Sequence, residues 1–113
     1  MFALTDGMHY YLCQHYVDMR KGMTGLYRLV KSDMSLSGDV FVFFSRKRDM
    51  VKILRWDTDG FILYQKRLEE GTFEVPRFNP DTGSYELSWK TFLLIMQGVS
   101  LRSAKCRKRF RLK

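Results

Sequence analysis

The sequence predicts an α+β domain, in which two helices pack against a small, mainly antiparallel sheet that contains a β-meander. Apolar residues recur at helical spacing over residues 19–34, and strand-like apolar runs follow one another over residues 39–68. A serine-capped apolar segment begins at residue 88. The predicted element order is β-α-β-β-β-α, with both helices on one face of the sheet. We expect a single domain over residues 1–101 and a flexible, basic C-terminal tail over residues 102–113.

The first strand and the first helix are predicted before residue 35. Aromatic residues that favour extended backbone are concentrated at His9–Gln14. The apolar positions that follow match one face of an α-helix: Met19, Met23, Leu26, Tyr27, Val30 and Met34. Asp18 is predicted to be the N-cap of this helix. Gly22 and Gly25 lie inside it, and we expect them to let another backbone or a ligand approach closely.

Three strands are predicted next, as a meander. Asp39–Phe44 is apolar at consecutive positions, which indicates a central strand covered on both faces. Met50–Trp56 and Phe61–Leu68 form the next two strands, joined by Asp57–Gly60, whose Asp-Gly pair is typical of a tight hairpin. Residues 72–76 are predicted as an additional short edge strand closed by a proline.

The second helix is predicted over Trp89–Gln97. Ser88 is expected to cap its first turn, and Gly98 is expected to end it. The basic tail follows this helix.

Composition indicates a cytoplasmic chain with a genuine hydrophobic core. Hydrophobic residues make up 45% of the 113 residues. The longest apolar runs, Val40–Phe44 and Phe92–Met96, are far shorter than the roughly 20 residues of a membrane-spanning helix. The first residues lack the charge and apolar patterning of a signal peptide, so we expect the protein in the cytoplasm.

The cysteines and histidines do not predict a metal or cofactor site. Cys13 and Cys106 are isolated from each other and are expected to be free thiols. His9 and His15 lie in an aromatic, extended stretch without further ligands at metal-binding spacing. We therefore expect both histidines to be packing or surface residues, and no cofactor.

The charge distribution points to a polyanionic partner. The formal net charge is +8, and residues 102–113 hold seven cations and no acid, whereas the remaining residues hold 13 cations and 12 acids. Basic tails bind nucleic acid by displacing counterions from phosphates. The alternative is a solvated tail that only aids solubility. The predicted DNA-contacting residues of the tail are Arg102, Lys105, Arg107, Lys108, Arg109, Arg111 and Lys113.

Two further basic clusters are predicted to contact phosphates. Arg20 and Lys21 would lie in the first turn of the first helix, where free N–H groups already favour an anion. The alternative is that both side chains extend into water. The second cluster lies between and along two strands of the meander and consists of Arg46, Lys47, Arg48, Lys52 and Arg55. Its alternative is an ordinary polar turn in which Asp49 pairs with the cations.

No catalytic residue is predicted. The sequence has no glycine-rich phosphate loop, nucleophile elbow or histidine–cysteine pairing. A metal-dependent nuclease would need converging carboxylates, for which Asp39, Asp57 and Glu69 are the candidates. An Asp-x-Asp-Gly sequence is equally what a tight turn requires, so this hypothesis ranks last.

Several segments resemble one family of transposon proteins. They are VDMRKG with TGL (Val17–Leu26), SGDVFVFF, RKRD and VKILRWDTDGFILYQKRLEEGTF (Ser37–Phe73), and LSW (Leu87–Trp89). In order and spacing they resemble the TnpB-type accessory proteins of insertion sequence 66 transposons, over most of residues 8–101. The family usually has proline where this chain has Tyr16, and often asparagine where it has Ser45.

The resemblance implies a small bacterial protein that assists movement of the element, with catalysis carried out by a separate transposase. Together with the charge pattern, it predicts a non-catalytic accessory protein that binds DNA phosphates, the transposase, or both. The alternative is an interaction module that recruits the transposase without direct DNA binding. The sequence predicts no particular base sequence and no oligomeric state.

Overall fold

The computed structural model describes residues 4–13, 15–31, 38–76 and 86–98. The elements are β1 (His9–Leu12), α1 (Met23–Val30), β2 (Asp39–Phe44), β3 (Met50–Asp57), β4 (Gly60–Arg67), β5 (Glu86–Leu87) and α2 (Trp89–Gln97). The five strands form one sheet in the order β4-β3-β2-β1-β5. The predicted class and meander are confirmed, whereas the predicted tail at 102–113 lies outside the described residues.

The sheet is antiparallel except at its centre. β1 runs parallel to β2, with His9 opposite Asp39, and α1 makes the crossover between them. β2, β3 and β4 are antiparallel neighbours, as are β1 and β5. All six residues of β2 are buried, so the prediction of a central strand is confirmed.

The two helices cover opposite faces of the sheet. Val40 and Val42 belong to a buried cluster that includes Phe92 of α2. Phe41, which points to the other face, belongs to a cluster that includes Leu26 of α1. The prediction that both helices share one face is wrong, because a strand that is apolar at every position needs an apolar cover on each side.

Helix α1 is shorter than predicted and begins later. Its N-cap is Gly22, which provides no side-chain cap. Asp18 instead closes a turn before the helix: its carboxylate accepts from the Arg20 backbone N–H at 2.9 Å, and its carbonyl accepts from the Lys21 N–H at 3.1 Å. An aspartate can satisfy a turn as readily as a helix end. The prediction of Asp18 as the helix cap is therefore wrong.

No other backbone segment approaches the two glycines among the described residues. A Cβ at Gly25 would lie 3.3 Å from Cβ of Lys21, and a Cβ at Gly22 would have no atom within 4 Å. The expected close approach of another backbone is not observed among the described residues. Gly25 is instead covered by the aliphatic stem of Lys21.

The other local signals agree with the structure, with one exception. Asp57 pairs with Gly60 across a two-residue turn, and the Ser88 hydroxyl accepts from the Thr91 N–H at 3.1 Å to cap α2. Gly98 ends α2 with a φ of 79°. Residues 72–76 are not a strand, because the Phe73 N–H donates to the carbonyl of Arg48 in the β2–β3 loop. The edge beside β1 is formed by β5 instead.

Candidate nucleic-acid interface

The segment before α1 and the loop after β2 lie at the same end of the sheet. The Val17 N–H donates to the carbonyl of Phe44, the last residue of β2, at 3.1 Å. The Lys52 ammonium donates to the carbonyl of Lys21 at 2.8 Å. The structure therefore brings together two of the basic clusters that the sequence predicted separately.

The β2–β3 loop is held by its own polar groups. The Ser45 hydroxyl donates to the Asp49 carboxylate at 3.1 Å and accepts from the Met50 N–H at 3.2 Å. The Arg48 N–H donates to the Ser45 carbonyl at 2.9 Å. Arg48 has a φ of 61°, a conformation uncommon for a residue with a side chain. These bonds fix the backbone from which three cations project.

Those three cations face solvent. Arg46, Lys47 and Arg48 are all exposed, and within the described residues none of them forms an ion pair. Asp49, which the alternative interpretation made their partner, accepts a hydrogen bond from Ser45. The loop therefore presents adjacent positive charges that a phosphate could approach.

Arg20 and Lys21 are exposed but do not lie in a helix turn. The Arg20 guanidinium pairs with the Asp18 carboxylate, with Nη2 and Oδ2 2.6 Å apart. This hydrogen-bonded pairing holds the pKa of Asp18 well below its usual range and raises that of Arg20. The predicted anion site at the helix N-terminus is not formed by these residues, since they precede α1.

Lys52 and Arg55 are buried, with 6% and 8% of their surface exposed. Lys52 binds the Lys21 carbonyl, and the Arg55 guanidinium lies 3.2 Å from the Asp57 carboxylate and 3.5 Å from the Met8 sulfur. Both cations therefore serve contacts inside the domain, and we leave them out of the candidate interface.

The structure adds two exposed cations, Lys66 and Arg67, that the sequence did not predict for this surface. In the register of β4 against β3, Arg67 lies opposite Met50 and Lys66 lies opposite Val51. Both positions are at the start of β3, directly after the basic loop. Counting back from the Asp57–Gly60 hairpin would have located them, because antiparallel pairing fixes the register of the return strand. We call the resulting surface the basic end; it consists of Arg20, Lys21, Arg46, Lys47, Arg48, Lys66 and Arg67.

Acidic residues at the basic end reduce its charge without cancelling it. The carboxylates nearby in the chain are Asp18, Asp49, Glu69 and Glu70, and Glu74 directly follows Phe73, whose N–H donates to the Arg48 carbonyl. Asp18 is paired with Arg20, and Asp49 is hydrogen-bonded to Ser45. Seven cations against these five carboxylates leave a positive surface.

The carboxylates of the nuclease hypothesis do not converge. Asp39 begins β2 and Asp57 ends β3, so these two residues lie at one end of the sheet. Glu69 follows Leu68, whose N–H donates to the Asp49 carbonyl at the opposite end. Among the described residues, no three metal-ligating side chains come together.

The histidines and the described cysteine are surface or partly buried residues, and both His9 and His15 are exposed. The His9 ring Nδ1 lies 2.9 Å from the Glu86 carboxylate, which joins β1 to β5. Cys13 is a half-buried free thiol, whereas Cys106 falls outside the described residues.

None of the helices in the described part of the chain has the length and apolarity needed to cross a membrane.

The fold and the basic end together define a small α+β domain with a cationic surface at one end of its sheet. The chain belongs to the IS66 Orf2-like family, whose model matches residues 8–106. Membership associates the chain with transposition of an insertion sequence element, in an accessory role. The resemblance that the sequence motifs indicated is thereby confirmed.

Two proteins of Sinorhizobium fredii (strain NBRC 101917 / NGR234) are similar to the chain. The uncharacterized protein y4jC is 32% identical over 108 residues, which cover 93% of this chain and 91% of y4jC. The uncharacterized protein y4hO is 27% identical over 105 residues, which cover 90% of each chain. No solved structure matches the chain.

Proposed function

We propose that the protein is a non-catalytic accessory factor that binds the DNA of its insertion sequence element through phosphate contacts. The observation that carries this proposal is the β2–β3 loop, where Arg46, Lys47 and Arg48 project into solvent from a hydrogen-bonded backbone. Family membership supplies the setting in which DNA is the polyanion at hand. Action on element DNA would place the chain in the bacterial cytoplasm.

The basic end would supply orientation, while the tail would supply non-specific affinity. Lys21 and Lys66 flank the loop and extend the charged surface, whereas Arg20 is already paired with Asp18. Phosphate contacts position a protein on the duplex but carry no base information. We therefore expect weak discrimination between DNA sequences.

A salt series on a labelled duplex of the element's ends tests the proposal. Replacing Arg46, Lys47 and Arg48 with glutamine should weaken binding. It should also make the slope of log K against log[salt], where K is the association constant, less negative by up to about 3, because each lost phosphate contact removes about 0.9 from that slope. Removal of residues 102–113 should flatten it further.

The matched control replaces three exposed cations elsewhere with glutamine: Arg28 and Lys31 at the end of α1, and Lys90 on α2. It removes the same charge from positions outside the loop. If the loop makes specific phosphate contacts, this control should therefore change binding much less than the loop variant does. Equal loss in both triple variants would mean that only net charge matters. Absence of binding by the intact protein at low salt would refute the proposal.

The second candidate function is recruitment of the transposase without direct DNA contact. It is favoured by the exposed apolar side chains Met23 and Leu29 on α1, which are 42% and 47% exposed. Co-purification with the transposase after nuclease treatment, lost in a Met23→Ser/Leu29→Ser variant that keeps its DNA affinity, would support this function.

A further inference from the structure

Strand β4 is a long edge of the sheet, and its first half is apolar. Its eight residues, Gly60–Arg67, pair with β3 on one side, and no strand of the described residues lies on the other. Its first half carries four large apolar residues that are only half-buried: Phe61, Ile62, Leu63 and Tyr64. Native edge strands are usually kept short, bulged or charged, and the first half of β4 is uncharged, so this part of the edge is suited to pair with another strand.

The backbone groups that face this edge can be identified. The Leu68 N–H donates to the Asp49 carbonyl on the β3 side at 2.7 Å. Because the direction of hydrogen bonding alternates along a strand, the even-numbered residues of β4 bond to β3. Phe61, Leu63 and Gln65 therefore direct their N–H and carbonyl groups to the outer edge, and so does Arg67.

The charges along β4 are arranged for pairing with an identical strand in the opposite direction. The hairpin before β4 is acidic, with an exposed Asp59, and the strand ends in the exposed cations Lys66 and Arg67. Antiparallel self-pairing sets the acidic start of one strand beside the basic end of the other. Parallel pairing would instead oppose like charges.

From the edge geometry and this charge gradient we infer that two copies of the chain associate through antiparallel β4–β4 pairing about a two-fold axis. The axis passes beside Leu63, so that Leu63 faces its own counterpart and Asp59 faces Arg67 of the second copy. A two-fold axis perpendicular to the sheet requires one residue to face itself. An axis beside Tyr64 would place Asp59 opposite Glu69, which has the same charge. An axis beside Ile62 would place Asp59 opposite Gln65, which has no charge.

The resulting assembly is a ten-stranded sheet that continues across the two copies. On one face Leu63 meets Leu63, and on the other Ile62 meets Tyr64 of the second copy, which covers the half-buried apolar residues of the edge. This inference does not rest on the proposed DNA binding.

Sedimentation equilibrium of the full chain tests the interface. The intact protein should show twice the monomer mass. Arg67→Glu should weaken association about tenfold or more, because two symmetry-related pairs change from attraction to repulsion. Asp59→Arg should weaken it similarly, and the double variant Asp59→Arg/Arg67→Glu should restore it. Both positions are exposed, so folding should be unaffected, and Lys90→Glu is the charge-matched control.

Disulfide trapping tests the register. Leu63→Cys should form a reducible dimer on oxidation, whereas Gln65→Cys should not, since Gln65 would lie opposite Phe61 and far from its own counterpart. The unsubstituted chain controls for links through Cys13 and Cys106. A monomer at all concentrations, a dimer unaffected by Arg67→Glu, or trapping by Gln65→Cys in place of Leu63→Cys would overturn the inference.

Discussion

The loop after β2 and the strand that follows it carry five cations, which the sequence predicted as one basic cluster, yet the structure gives the two regions opposite roles. Arg46, Lys47 and Arg48 in the loop are exposed and form no ion pair with another described residue. Lys52 and Arg55 on β3 are buried and bind groups of the domain itself. Cations that are neighbours in sequence can therefore differ in their availability to a ligand, because each residue of an inner strand faces one of the two covered faces of the sheet.

The largest expected loss of stability comes from Lys52. Its ammonium satisfies the Lys21 carbonyl, so Lys52→Met should lower the free energy of unfolding by about 1–3 kcal/mol by leaving that carbonyl without a partner. Urea denaturation provides the measurement. Lys47→Met, at an exposed position, should stay within about 0.5 kcal/mol of the parent. Equal losses would erase the distinction between strand and loop.

Arg55 should matter less, although it is also buried. Its Nε has no hydrogen-bond partner in the described structure, and its partner Asp57 keeps 38% of its side chain exposed. Arg55→Met therefore leaves no deeply buried charge unpaired, and we expect a loss of about 1 kcal/mol in the free energy of unfolding. A double-mutant cycle with Asp57→Asn would isolate the ion pair. A loss as large as that for Lys52 would contradict this assignment.

The loop cations should contribute little to stability. Replacing Arg46, Lys47 and Arg48 with glutamine should change the free energy of unfolding by less than about 0.5 kcal/mol, because the loop is held by Ser45 and backbone groups. Thermal denaturation of the same triple variant used for DNA binding checks this. A marked drop in its midpoint would mean that any weakened DNA binding reflects unfolding.

The smallest effect is expected at Asp18. Its pairing with Arg20 lowers its pKa, so the pair stabilises the turn above the ordinary carboxyl pKa of 3.8, and that contribution is lost as pH falls below 3.8. Arg20→Gln should return the Asp18 pKa towards 3.8, as followed by NMR titration of the carboxyl carbon. Because the pair is exposed, the denaturation midpoint at neutral pH should not move measurably. An unchanged Asp18 pKa would show that the pair does not form in solution.

Part of the candidate site could be predicted from sequence. Arg46, Lys47 and Arg48 lie in a loop between two strong strand patterns, and loop cations are normally exposed. The approach of Lys21 to this loop could not be predicted, since it depends on parallel pairing of β1 with β2 across a helical crossover. Lys66 and Arg67 were missed for a related reason, because they join the site only through the register of β4 against β3.

The sequence by itself determined the features that arise within a few residues. The apolar run of β2, the Asp57–Gly60 hairpin and the Ser88 and Gly98 ends of α2 follow from backbone preferences and burial that each segment carries alone. Only the tertiary structure decided where α1 begins, which face each helix covers, and which cations are buried. These outcomes depend on contacts between distant segments, such as Lys52 with Lys21 and Val17 with Phe44, whose energies no local pattern contains.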